Sequence, residues 1–209
     1  MQTKIYFLTA TWALLTACSC VAETEGLTSR KWQDGDIIFS SSAQGQGEAI
    51  IAATGSPFTH CGMVFSKDGK WRVLEAVQPV GSVSLADFIS RSMSGKVTVR
   101  RLKSPFSAAS QSRARAWAEA QIGKNYDPRF LWDDGNLYCS EYVWKAYQHG
   151  GVELCAPRHF RDYDLEKPVV RKIITQRFGG MAKVPLDEQV VAPSDLAASA
   201  LLVDVPPDS

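Results

Sequence analysis

The stretch FTHCGMVFSKDGKWRVLEAV, residues 58–77, consists of two apolar runs around a turn. Asp68-Gly69 is a hairpin dipeptide, because a two-residue type I′ turn needs positive φ at both central positions. The pattern predicts strands over His60 to Phe65 and Trp71 to Val77. A turn centred on Asp68-Gly69 sets Glu75 opposite Gly62 and His60 opposite Val77. His60 and Glu75 then share one sheet face as diagonal neighbours, about 7 to 8 Å apart at Cα. A slip of one residue on each strand opposes them directly, and either register lets Glu75 accept a hydrogen bond from the imidazole. Glu75 interrupts the apolar run Val73 to Val77, where a charge needs a partner. Gly62 leaves room for that carboxylate. Cys61 has the opposite strand parity, so it is expected to point away from His60 and to be structural.

Further elements flank this hairpin. Ile37-Ile38-Phe39 after the Asp34-Gly35-Asp36 turn reads as a buried strand, and Gly47 to Thr54 as a short helix stopped by Gly55. Ser84 to Met93 is a predicted helix with Ser84 as N-cap and Asp87 three residues on. Lys96 to Leu102 alternates as a half-buried strand, and Ser107 to Ile122 is helical up to Gly123. An aromatic loop, Asn125 to Asn136, leads into a helix over Ser140 to His149 ended by Gly150-Gly151. Val169 to Ile174 is expected to add a strand, and 181–209, with four prolines, to form a poorly ordered tail. The result is an α+β domain over 32–180, an antiparallel sheet or small barrel packed against helices.

The composition narrows the function. With 45% hydrophobic and 22% charged residues, the 209-residue chain is an ordinary globular protein. Lys plus Arg is 23 against 22 Asp plus Glu, so the net charge of +1 leaves no footprint for nucleic acid. Residues 1–17 read as an export signal, with Lys4, an apolar run from Ile5 to Leu15, then small residues. At roughly 17 Å of helix the run is too short for a bilayer core of about 30 Å. Leu15-Thr16-Ala17-Cys18 resembles a bacterial lipoprotein box, which implies an acylated Cys18 and a tether over 18–31. Cleavage after Ala22, giving a soluble exported protein, is the competing reading. The five cysteines show no metal-ligand spacing, so neither metal nor cofactor is expected.

Cys139 lies at the first turn of the predicted helix, in YCSEYVWKAY (138–147). A helix N-terminus favours an anion, hence the nucleophilic thiolate. Of three histidines, His149 lies about 10 residues along the same helix, roughly 15 Å away, and is too far to serve as its base. His159 sits in a loop with no informative spacing and is expected at the surface. His60 remains, with Glu75 to fix its tautomer, giving a Cys-His-carboxylate set. Tyr126 and Tyr138 are the expected substrate-binding residues, among aromatics that either line the cleft or pack beneath the cysteine helix.

The segments GDIIF (35–39), FTHCGMVF (58–65), VLEAVQPV (73–80), GKNYD (123–127) and LYCSEYVWKAY (137–147) together resemble the YiiX-like family of circularly permuted papain-like, NlpC-type cysteine hydrolases. The resemblance implies a permuted papain-like fold, with the histidine strand before the cysteine helix. It also implies Cys139 as nucleophile, His60 as base and Glu75 as the acidic residue. Thr59-His60-Cys61 departs from the pattern by placing a second thiol beside the base. The expected protein is an envelope hydrolase, lipid-anchored and facing the periplasm or exterior, that cleaves an amide of a peptide-like substrate such as a cell-wall peptide through a thioester. The rivals are an acyl-lipid hydrolase or acyltransferase, which predicts an apolar tunnel beside Cys139, and a non-catalytic envelope binding module.

Overall fold

The computed structural model describes residues 30–207. The expected signal segment, the expected acylation site at Cys18 and all but the end of the expected tether lie outside the described residues. The hairpin forms in the expected register, with Met63 paired to Leu74 and Val64 to Val73. Its strands are β2 (His60–Lys67) and β3 (Lys70–Glu75). Asp68 and Gly69 take φ of 52° and 72°, the two positive values that the turn demands. Gly62 is required by close approach: a Cβ there would lie 2.5 Å from Val73 Cγ1 and 2.9 Å from the Leu74 carbonyl oxygen.

The hairpin is the middle of a six-stranded antiparallel sheet. β1 (Asp36–Ser40) pairs with β2 on one side and with β5 (Val97–Leu102) on the other. β4 (Gly81–Ser84) flanks β3, and β8 (Leu202–Asp204) closes the far edge, giving the order β4-β3-β2-β1-β5-β8. All five residues of β1 are buried because both sheet faces are covered. On one face Ile38, Val64, Val73 and Val99 pack on Leu85 and Phe88 of the short helix α2 (Leu85–Ser90). On the other, Ile37, Phe39, Cys61, Met63 and Phe65 pack on the helices α3 (Ala108–Ala120) and α4 (Cys139–His149). A third cluster joins α1 (Gln46–Thr54) to α5 (Pro168–Phe178) through Ala49, Val170 and Ile174. Among the described residues no helix is long and apolar enough to cross a membrane.

Two expectations are corrected. Residues from Val169 to Ile174 are helical, not a strand, because the apolar positions 170, 173, 174 and 178 recur at helical spacing. Pro168 opens that helix at a position where no intrahelical N–H hydrogen bond is made, and Gly179 ends it in the left-handed region. The segment beyond 180 is not a loose tail over 181–207. Its prolines initiate structure, as Pro193 does at the start of α6 (Pro193–Ala197), and Val191, Leu196 and Leu202 enter the main core. A small ribbon, β6 (Arg158–His159) with β7 (Gln189–Val190), ties it to the preceding loop.

Candidate active site

The start of α4 and the start of β2 converge at one end of the sheet. Alternation along β2 turns Cys61 toward α4 and His60 toward Phe88, whose ring it stacks on at 5.6 Å. His60 sits at the strand's first residue, where its side chain reaches past the sheet end to Cys139. Its Nε2–H donates to Glu75 Oε2 at 2.6 Å. Glu75 is fully buried and its other oxygen accepts from Arg91 Nη2. His60 keeps 22% of its side chain exposed, so the pair is reachable from solvent.

Electrostatics favour the zwitterion. Hydrogen bonding from Cys61 draws the Cys139 thiol well below its usual pKa, burial opposes this, and the His60 charge then adds to the lowering. Burial alone would lower His60, but the Cys139 thiolate and then Glu75 outweigh it and raise the imidazole to about 9. Burial pushes Glu75 up, yet its bonds to His60 and Arg91 hold it below the ordinary carboxylate range. The Cys61 thiol goes the other way, well above its normal value, through burial and its contact with the thiolate. A thiolate beside an imidazolium, oriented by a buried carboxylate, is equipped for nucleophilic attack on a carbonyl.

The cysteine helix is fixed by the segment taken from sequence as a tail. Ser140 Oγ donates to the Val191 carbonyl at 2.6 Å, and the Val191 N–H donates to Tyr138 Oη at 3.1 Å. Tyr138 is therefore a buried wall residue. Tyr126 borders the cleft beside His60, where its hydroxyl accepts from Gln46 Nε2 at 2.7 Å. Trp132 packs on Trp144 of α4 at 5.1 Å and so lies beneath the helix. His149 stacks on Trp117 at 5.0 Å, and His159 is exposed beside Asp162, so neither joins the site.

Arg91, Gln46 and Cys61 are the neighbours that the sequence reading missed. Cys61 was legible in part: opposite parity to His60 puts it on the core face, which is where a helix carrying the nucleophile must pack. Arg91 and Gln46 come from separate elements, and no spacing announces them.

Residues 31–205 match the family described as permuted papain-like amidase enzyme, YaeF/YiiX, C92 family. The chain belongs to this family. The C92 assignment makes it a thiol amidohydrolase or peptidase with a permuted papain-like fold. It is 38% identical over 162 residues to the uncharacterized protein YiiX of Escherichia coli strain K12, covering 77% of this chain and 79% of YiiX. A crystal structure of YiiX from Escherichia coli O157:H7, described as a metalloprotein, superposes with a TM-score of 0.79 at 36% identity, over 84% of this chain and 97% of that one. Among the described residues of this C92 chain, no group of three or more His, Cys, Asp or Glu is placed to hold a metal ion.

Proposed function

We propose that the protein is a cysteine hydrolase that cleaves an amide bond with Cys139 as nucleophile, His60 as general acid and base, and Glu75 as the group that orients His60. The observation that carries this reading is the Cys139–His60–Glu75 array, with a 2.6 Å His60–Glu75 hydrogen bond and opposed pKa shifts on thiol and imidazole. The thiolate attacks the carbonyl carbon, the C–N bond breaks, and the departing nitrogen takes the imidazolium proton. Water then attacks the thioester and returns a proton to His60, which regenerates the thiolate and releases the acid.

The oxyanion needs two donors aimed at one point. The Cys139 N–H, in the first turn of α4, has no partner within the helix. The Tyr126 hydroxyl is the second: it already accepts from Gln46, its proton has no acceptor among the described residues, and it feels the charge of Cys139. Mass spectrometry of the acid-quenched protein with an amide substrate tests the covalent step. An acyl adduct on Cys139 that accumulates in the wild type and is missing in Cys139→Ala is expected, and turnover by Cys139→Ala would contradict the assignment.

The reading extends to location. Lys4, the apolar run to Leu15 and the Leu15-Thr16-Ala17-Cys18 box support export to the bacterial envelope with acylated Cys18 as the anchor. Cell fractionation is expected to move the protein from membrane to soluble fraction on Cys18→Ala. An unchanged distribution would favour cleavage after Ala22 or another form of attachment.

A further inference from the structure

The Tyr126 hydroxyl is one end of a hydrogen-bonded chain that joins three separate elements. Gln46, at the first position of α1, donates from Nε2 to Tyr126 Oη at 2.7 Å. Its Oε1 accepts from Arg177 Nη2, near the end of α5. Arg177 has no part in the reaction as described above, and Gln46 enters it only as a neighbour of Tyr126.

The direction of each proton in this chain follows from the guanidinium. An arginine carries five N–H donors and no acceptor, whereas a glutamine amide presents an oxygen on one side and an NH2 on the other. Arg177 therefore selects the amide oxygen, and the NH2 is left facing Tyr126. A phenol oxygen that accepts from that NH2 keeps its own proton for another group. Tyr126 and His60 border the same cleft, so the group that takes this proton is one bound there.

Charge acts in the same sense. The Arg177 guanidinium lies over the Phe130 ring, 5.3 Å from its centroid, and its Nη1 is buried with no hydrogen-bond partner among the described residues. The carboxylate of Asp127, beside Tyr126 in the chain, is engaged instead by the Arg129 and Leu131 N–H groups. Burial and the Cys139 charge push the Tyr126 hydroxyl above its usual pKa, while Gln46 and then the Arg177 charge pull it back down. A phenol polarised in this way is a stronger donor to an oxygen that is gaining negative charge.

We propose that Gln46 and Arg177 are positioning residues of the reaction: Arg177 fixes the orientation of the Gln46 amide, and Gln46 holds the Tyr126 hydroxyl with its proton aimed at the oxyanion. The inference rests on the hydrolase reading with Tyr126 as second oxyanion donor, and adds that this donor is oriented in advance from two other elements. Neither positioning residue needs to touch the reacting atoms.

The test compares two reactions of Cys139 in the purified full chain. Acylation by p-nitrophenyl acetate, read as nitrophenolate release, passes through an oxyanion. Alkylation by iodoacetamide does not, and it reports the thiolate alone. Gln46→Glu keeps the shape of the side chain but makes it acceptor-only, so Arg177 still pairs with it while the Tyr126 proton is drawn back onto it. This variant is expected to lower the ratio of acylation to alkylation rates at least about tenfold, as is Tyr126→Phe, the scale of losing one oxyanion donor. The double variant is expected to fall no further than either single one. Arg177→Met, which frees the amide to flip, should lower the ratio severalfold, and Arg177→Lys should recover most of it. Thermal melting checks that each variant is folded. A ratio that falls with Tyr126→Phe but stays at the wild-type value with Gln46→Glu overturns this inference alone, as do losses that simply multiply in the double variant. No loss with Tyr126→Phe overturns the assignment of Tyr126, and this inference with it. A Cys139 that labels like an ordinary thiol and is not acylated by the ester overturns the hydrolase reading itself.

Discussion

Glu75 is fully buried and carries two cationic neighbours, His60 on Oε2 and Arg91 on Oε1. One partner is the working group of the site and the other is its counterweight. Arg91 is half exposed, so water replaces part of what its removal takes away. Arg91→Met is expected to cost about 1.5 kcal/mol of stability, near the low end for a hydrogen bond to a charged group. As a positioning residue, Arg91 acts on the reaction through Glu75, so its loss should lower kcat about tenfold with little change in KM, and Arg91→Lys should recover most of it. A fall in KM affinity alone would assign Arg91 to substrate binding instead. The pH dependence has a definite sign. His60 is raised from 6.5 to about 9, so the stability contributed by its charged form is fully present below about 6.5 and is lost as pH rises through about 9. Glu75 is lowered, so its contribution is present above the ordinary carboxylate value and is lost only as pH falls through the depressed one. Urea titrations of the wild type and His60→Ala at pH 7 and pH 10 check this. The Cys139 thiol, lowered in the folded protein, contributes with the opposite sign over the same interval, so the wild type should change little in stability between the two pH values, and a marked loss would show that Cys139 is not ionised beside His60.

At the scale of elements, the hairpin holds the site in register. Gly62 is the point where the chains approach most closely, and Val73 Cγ1 and the Leu74 carbonyl leave no space for a methyl group. Gly62→Ala is expected to destabilise the protein by about 1 to 3 kcal/mol, the usual range for overpacking. It should also slow the reaction by displacing Glu75 from His60, and a melting temperature equal to the wild type would show that the sheet yields there. This pairing was legible from residues 58–77 because turn chemistry fixes register and register fixes which side chains meet. α1, α2, α3 and α4 were legible too, from caps and stops such as Ser84, Gly55 and Gly150. The helix α5 was misread because its β-branched residues suit a strand, while their positions repeat at helical spacing. Local propensity there gave way to packing against α1. Arg91 and Gln46 were not legible, since each reaches the site across more than one element and leaves no periodic trace.

At the scale of the molecule, the chain closes on itself. Its last described strand, β8, forms the edge of the sheet beside β5, and Val191 bonds both Ser140 and Tyr138 at the head of the cysteine helix. The proline content of this segment suggested a loose end, but a proline also opens a helix at no hydrogen-bond cost, and burial of Val191, Leu196 and Leu202 decides between the two. Truncation after residue 187 is therefore expected to abolish activity and to lower the melting temperature by well over 5 °C, followed by circular dichroism. Retention of full activity would mean that the helix head is held without this segment. The joint claim of fold and site is that the whole domain exists to keep Cys139 ionised beside a protonated His60. The rate of Cys139 alkylation by iodoacetamide, measured from pH 5 to 10 in the wild type and in His60→Ala, tests it most directly. The account predicts a wild-type rate already on a plateau at pH 7, and a variant whose rate climbs with pH like that of an ordinary thiol. Identical profiles, both rising with an ordinary thiol pKa, would contradict it.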